Sequence, residues 1–425
     1  MAHLRRELGR WDLTALGINQ VIGGAVFAIP AAVAAAVGGW SPILIAAVGF
    51  ASMLIALTFA EVASRFDGTG GAYIYTRAAF GRFPAFEVGW MLWFTRVASW
   101  ASVINVLVAA LGFYWPSVTT GVTRTALMTG IIATLAFINI LGIRQSAWVV
   151  NTLTIGKLLP LALFIVVGLT AIDPAALHIG PMPPLSDFST SALLLIFAFG
   201  GYEVIPVPAG ESKDPRGAVP FALIMTISVV TTILTLAQVV ALGTLPGLAA
   251  SKTPLADAAA LVMGATGAAV MTLGAVLSTL GNNMGQALSG SRSLFALAEN
   301  GDVPRVFAKV SSRFGTPVVA ILFTAAVSLV LATTGSFAGM AAASAVSRLV
   351  VYVATCAAAL RLRGASDVPA ARMTVPFGPV IPCAAIAIAL SILFGAKPEQ
   401  LRSGGYALAA GAVLFVIAVA PWRKA

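Results

Sequence analysis

One lysine sits in an apolar run long enough to cross a bilayer. Residues 151–168 read "NTLTIGKLLPLALFIVVG", with Lys157 roughly ten residues into the span and apolar turns on both sides. An isolated charge at mid-membrane costs about 2.5–3.5 kcal/mol on insertion scales. Snorkelling to the interface is the ordinary escape for such a side chain, and the depth of Lys157 does not suit it. An ammonium whose surroundings change can load and release a proton, which is the chemistry this placement suggests. Arg96, in "WMLWFTRVASWASVINV", is also deep in an apolar run. It could form an ion pair with Glu203 or Glu87, since an unpaired buried charge is costly. Glu203, in "FAFGGYEVIPVPAG", could relay protons, gate, or neutralise Arg96. Arg348 is expected to pair within the scaffold, with no substrate role.

The elements that hold these groups follow from composition. The chain has 425 residues, 59% hydrophobic and 9% charged, with mean hydropathy +0.97. Soluble domains carry about 25% charged residues, so this is an all-α polytopic membrane protein whose main solvent is lipid. The formal charge of +10 could suggest nucleic acid, but the basic residues are scattered through short loops without interleaved aromatics, so no nucleic-acid partner is expected. Cys356 and Cys383 have no metal spacing, and His3 and His178 fall in a tail and a loop. With no nucleophile–base pair or metal cluster in the spans, neither an enzyme nor a cofactor is expected.

At roughly 20 apolar residues per crossing, twelve transmembrane helices are expected, at about 13–37, 42–64, 85–114, 125–141, 147–172, 189–210, 219–245, 258–299, 317–334, 337–362, 375–393 and 406–421. The eighth is too long for one span and is expected to include a lead-in loop. With a cytoplasmic tail at 1–11, eighteen of the 25 basic residues fall on the cytoplasmic side. Arg124, Lys252, Lys397 and Arg402 fall opposite, and Arg96, Lys157 and Arg348 lie within spans. This skew obeys the positive-inside rule and puts both termini in the cytoplasm of a multi-pass cell-membrane protein.

Two spans carry interruptions. The first reads "GINQVIGGAVFAIPAAV", with Gly23 and Gly24 near its middle and Pro30 beyond; the sixth carries Gly200 and Gly201, then Pro206 and Pro208. Each mid-helix glycine costs about 1 kcal/mol relative to alanine, and proline removes a donor and kinks the helix. Close helix packing could explain either pair alone. Their matched positions, each opening a five-helix half, point instead to an inverted-repeat transporter with its site at the bilayer midplane. The halves would be 12–172 and 187–363, followed by two C-terminal helices at 374–421. Half-helix N-termini suit a carboxylate, and freed carbonyls suit an ammonium. Together they describe a receptor for a small-molecule α-amino acid.

The sequence resembles the amino acid–polyamine–organocation transporter superfamily over nearly its whole length. "IGGAVFAIP" resembles the family's Gly-small-Gly-Ile-Phe break, departing at Ala25, where a glycine is usual. The loop "GTGGAYIYTRAAFG", the sixth-span segment "FAFGGYEVIPVPAGESKDPRGAVP" and "SGSRSLFALAENGDVP" resemble three further family segments in the expected order. The resemblance implies a LeuT-like five-plus-five inverted repeat with broken helices 1 and 6. It implies that Ile22, Gly23, Gly24 and Ala25 offer backbone groups to the substrate carboxylate. Phe197, Ala198, Phe199 and Gly200 would contact the amino group and side chain, with Phe199 as an aromatic lid, and the part of span 3 around Arg96 would line the side-chain pocket. If Arg96 faces that pocket, its positive charge could repel cationic substrates and welcome glutamate or aspartate. In some proton-coupled relatives a lysine replaces the sodium ion that pins helix 1 to helix 8, and Lys157 matches it. It would bond carbonyls near Ile22 and Gly23 and the polar groups of "LSTLGNN", Ser278, Thr279 and Asn282, of which Ser278 and Asn282 share a helix face. The implied function is proton-coupled amino acid uptake, with Glu203 a further candidate in proton coupling; the alternative is an exchanger of amino acids, amines or polyamines.

Overall fold

Long apolar runs in a medium without water must satisfy every backbone group internally, which selects helices. The computed structural model describes residues 4–112, 115–334, 337–396 and 398–419. His3, Tyr114, Lys397, Pro421, Arg423 and Lys424 lie outside the described residues. In chain order the helices are α1 (Arg10–Val21), α2 (Ile29–Val37), α3 (Ser41–Ala63), α4 (Ala72–Phe80), α5 (Arg82–Leu111), α6 (Gly121–Leu141) and α7 (Ile143–Gly168). Then come α8 (Leu185–Ala198), α9 (Pro215–Thr244), α10 (Pro254–Glu299), α11 (Val318–Thr334), α12 (Phe337–Leu362), α13 (Val380–Phe394) and α14 (Pro398–Val419). The described residues hold no β-structure beyond an isolated bridge between Leu8 and Ser212.

Twelve spans are expected from the sequence. Among the described residues, nine apolar stretches are long enough to cross a membrane, and α11 and α13 are shorter apolar helices. The first expected span is split between α1 and α2, and α2 runs into α3 through a tight turn at 38–40, so the apolar length falls on Ile29–Ala63. The sixth stops at Ala198, and the residues expected to complete it to 210 are turns, including 3-10 turns at Tyr202–Val204 and Ala209–Glu211. The lead-in to the eighth is not a loop. It is helical and bends at Gly264, whose φ of 67° is open to glycine. The segment 68–81, read from sequence as a loop, contains α4, which buries Ala72, Tyr73, Tyr75 and Thr76 on one side.

Packing pairs α3 with α9, α5 with α10, α6 with α11, α7 with α10, and α5 with α12. α1 lies against α9 and α7; α13 and α14 pack outside α12. The bundle end where α1 begins is closed by ion pairs. Asp302, fully buried, accepts from Tyr73 Oη (2.6 Å), Arg77 Nη1 (2.8 Å) and Arg82 Nε (2.6 Å). Burial and the neighbouring Asp302 carboxylate push the Tyr73 phenol well above its usual range. Arg363 clasps Glu61 through two bonds of 2.6 Å. Arg292 holds Glu211 through Nε (2.9 Å) and Nη2 (3.1 Å), and its Nη1 donates to Asn139 Oδ1.

The Arg292–Glu211 pair is completely buried on both sides. Removing one partner strands the other charge, a loss of about 3–5 kcal/mol. Glu211→Gln is therefore expected to lower the thermal unfolding midpoint of the detergent-purified protein. An unchanged midpoint would show that Arg292 finds another partner.

Candidate functional site

The two interruptions meet at mid-bundle. α1 ends at Val21; Ile22 leaves helical geometry (φ −78°, ψ 80°), and Gly24–Phe27 forms a 3-10 turn before α2. α8 ends at Ala198, and Gly201 adopts φ 128°. A Cβ at Gly201 would lie 2.7 Å from the carbonyl oxygen of Gln20, so glycine there permits both the turn and the contact between the breaks.

The first break exposes carbonyls, and α7 and α10 supply donors for them. Lys157 Nζ donates to Asn19 O (3.0 Å), Ile22 O (2.7 Å) and Ser278 O (3.4 Å), so its three donors reach three backbone oxygens from α1, its unwound end and α10. Lys157 is fully buried, and among the described residues no carboxylate pairs with it. Ser278 Oγ donates to Ile22 O (2.7 Å), and Asn282 Nδ2 to Gln20 O (3.1 Å). In return, Asn19 Nδ2 donates to Gly281 O (2.7 Å) and Gln20 Nε2 to Asn282 O (3.1 Å). Thr279, one residue from Ser278, faces the neighbouring cavity instead.

The second break is organised by Glu203. Its Oε2 accepts from the Gly201 N–H and from Tyr352 Oη, both at 2.8 Å. Its Oε1 meets Arg96 Nη2 at 2.7 Å and Arg348 Nε at 2.9 Å. Of the two partners open to Arg96 from sequence, the structure brings it to Glu203. Glu87 lies elsewhere on α5, its carboxylate without a hydrogen-bond partner among the described residues.

A cavity of about 350 Å³ lies between the breaks, α5, α10 and α12. Gly23, Gly24, Phe197, Ala198, Gly200, Thr279 and Asn282 border it. Ile22, Ser278 and Lys157 lie behind that wall, at the junction of α1 and α10. Ala25 belongs to the 3-10 turn beside it. Phe199, expected as an aromatic lid, is fully buried and does not border the cavity; Phe197 does. Two residues apart on a helix are about 200° apart around its axis, so only one of them faces inward. Arg96 is likewise sealed away, while Ser99 and Ser102, further along α5, border the cavity. Sequence reasoning passed over Ser99, Ser102, Gln286 and Ser344, and gave Arg348 no substrate role, yet all five border it. The spacing Ser344–Arg348 was the available signal, since i and i+4 share a helix face.

Gly201→Ala is expected to destabilise the protein by about 1–3 kcal/mol, from the forced φ and the clash with Gln20. Gly81→Ala, at φ 83° with open space around the added carbon, pays only for the backbone angle. Unfolding midpoints should rank the wild type above Gly81→Ala and that above Gly201→Ala; the reverse order of the two variants would mean that the breaks are not tightly apposed.

A family model described as amino acid permease matches residues 8–419. An uncharacterized transporter of Mycobacterium tuberculosis is 30% identical over 394 residues, covering 92% of this chain and 87% of the relative. The branched-chain amino acid permease BcaP of Bacillus subtilis is 28% identical, covering 92% and 88% of the two chains. The serine/threonine exchanger SteT of the same organism is 28% identical, covering 96% and 95%.

Proposed function

The chain belongs to the amino acid permease family, and from that premise we propose that it is a secondary active transporter importing an amino acid across the cell membrane by proton symport. The observation that carries the coupling is the Lys157 ammonium, held by three carbonyls between the first break and α10. A cage of carbonyls around one positive charge is a cation site, and here the cation is a side chain. Unlike a bound ion, it cannot leave; it can only give up its proton. Protonated Lys157 bridges α1 and α10 and holds the arrangement in which the cavity is formed. The neutral amine has one donor fewer, the bridge loosens, and α1 is free to swing towards the inward-facing state.

The site residues take these roles. The 3-10 turn at Gly24 and Ala25 starts with N–H groups that have no acceptor within the turn, and these receive the substrate carboxylate. Gly23 borders the cavity beside them, whereas Ile22, expected from sequence to join them, has its N–H bonded to Ile18 O and its carbonyl bonded to Lys157 and Ser278. The carbonyls at the end of α8 and just beyond it, at Phe197, Ala198 and Gly200, receive the substrate's amino group, with Phe199 buried behind them. Thr279 and Asn282 complete the polar wall, Ser278 fixes the Ile22 carbonyl, and Glu203 with Arg96 holds the second break in place.

The five-plus-five architecture, with repeats at 12–172 and 187–363, twelve spans and both termini cytoplasmic, belongs to the same proposal. The packing supports it. If spans 1–5 and 6–10 are related by a two-fold axis, a contact between the halves must recur with the mates exchanged, so α7–α10 requires α12–α5 and α1–α9 requires α3–α8, while mates that lie near the axis, α3 with α9, α5 with α10 and α6 with α11, pack on each other. All of these pairings occur.

Lys157→Met keeps the length and removes the titrating group. The variant reconstituted in proteoliposomes is expected to bind substrate and to lose acid-stimulated accumulation, its uptake falling to the level seen without a pH gradient. Accumulation with an unchanged pH response would remove Lys157 from the coupling.

A further inference from the structure

We propose that the cavity receives an amino acid whose side chain carries a second negative charge, and that Arg348 is the group that meets it; this rests on the reading of the cavity as the amino acid site. The argument begins with charge. Arg96 and Arg348 meet the same oxygen of one carboxylate, Glu203 Oε1, at 2.7 and 2.9 Å. The other oxygen is taken by the Gly201 N–H and Tyr352 Oη. Two guanidinium groups on one carboxylate leave one positive charge uncompensated in a region of low dielectric. Such a charge is unfavourable in the empty site and favourable once an anion joins it.

The two arginines differ in where that charge can be reached. The Arg96 side chain is 1% exposed and sealed beneath the wall; that of Arg348 is 12% exposed and borders the cavity. Arg348 is the only charged residue among the described residues bordering it. Its guanidinium lies 5.6 Å from the centre of the Phe197 ring, within cation–π range. Gly200 leaves it room, since a Cβ there would lie 2.4 Å from Nη1. The other polar side chains among the described lining residues are neutral: Ser99 and Ser344, bonded to each other at 2.6 Å, with Gln20, Ser102, Gln286, Asn282 and Thr279.

A guanidinium whose Nε side faces Glu203 as an ion pair can still present its outer edge to a carboxylate, the geometry for which arginine is suited. The substrate's α-carboxylate and α-amino group are met by backbone at the two breaks, so the group left for Arg348 is the side-chain terminus. A lysine, arginine or polyamine substrate would instead place a cation beside a cation, with no carboxylate among the described lining residues to receive it.

The test is a binding and uptake panel on the wild-type protein in proteoliposomes: L-glutamate, L-aspartate, L-glutamine, L-asparagine, L-serine, L-leucine and L-lysine. At least one of the two acids is expected to bind tenfold or more tighter than its amide, with lysine excluded. Arg348→Gln is expected to reduce that ratio to about one, whereas Arg348→Lys, which keeps the charge but not the planar fork, retains part of it. The inference is overturned if a neutral amino acid outcompetes both acids, or if Arg348→Gln keeps the acid preference. Transport of serine or leucine without acid preference would sink this inference and leave the transporter standing; failure of every amino acid to bind or move would sink both. Should Arg348→Gln fail to fold, the wild-type acid-to-amide ratio decides alone.

Discussion

Backbone carbonyls released inside a membrane must find donors, because no water is there to supply them. At the first break those of Asn19, Gln20 and Ile22 are all satisfied from other helices, by Lys157, Ser278 and Asn282. Without these bonds the interruption would be a defect, and with them it is a stable, shaped surface. The dependence is mutual. Lys157 can be tolerated in the core because the break offers it oxygens, and the break can be tolerated because the lysine is there.

The second break solves the opposite problem. Here a backbone N–H, that of Gly201, needs an acceptor, and an anion provides it. Glu203 is in turn held by Arg96, Arg348 and Tyr352, drawn from α5 and α12. A cation thus serves the carbonyls of one interruption and an anion the amide of the other. Tyr202, Tyr352 and Phe59 pack against one another beneath this cluster, the two tyrosine rings stacked at 5.4 Å.

Much of this was legible in the sequence because membrane residence limits what a sequence can encode. Charges at Arg96, Lys157, Glu203 and Arg348 stand out against an apolar background, and the paired glycines at 23–24 and 200–201 mark where helices stop. What was hidden depends on rotation about a helix axis and on which helices become neighbours. Phe197 and Phe199 are indistinguishable as letters, yet one borders the cavity and the other is buried. Glu87 and Glu203 were equal partners for Arg96 until the packing of α5 against the second break decided between them. α4 was concealed because it has only nine residues, too few for a span, and its first turn follows glycines at positive φ rather than a capping side chain. The length of α8 was overread because Pro206 and Pro208 sit in apolar surroundings that hydropathy cannot tell from a span.

The short helix α1 is gripped at both ends by the same stretch of chain. Before it, Leu8 exchanges backbone bonds with the residues around Ser212, donating to Glu211 O at 2.9 Å and accepting from Lys213 N–H at 3.0 Å. At its far end Gln20 abuts Gly201. Tilting α1 must therefore carry residues 201–212 along with it, as a crank carries its rod. While those contacts hold, the first helix and the turns after the second break form one mechanical part with a single stroke.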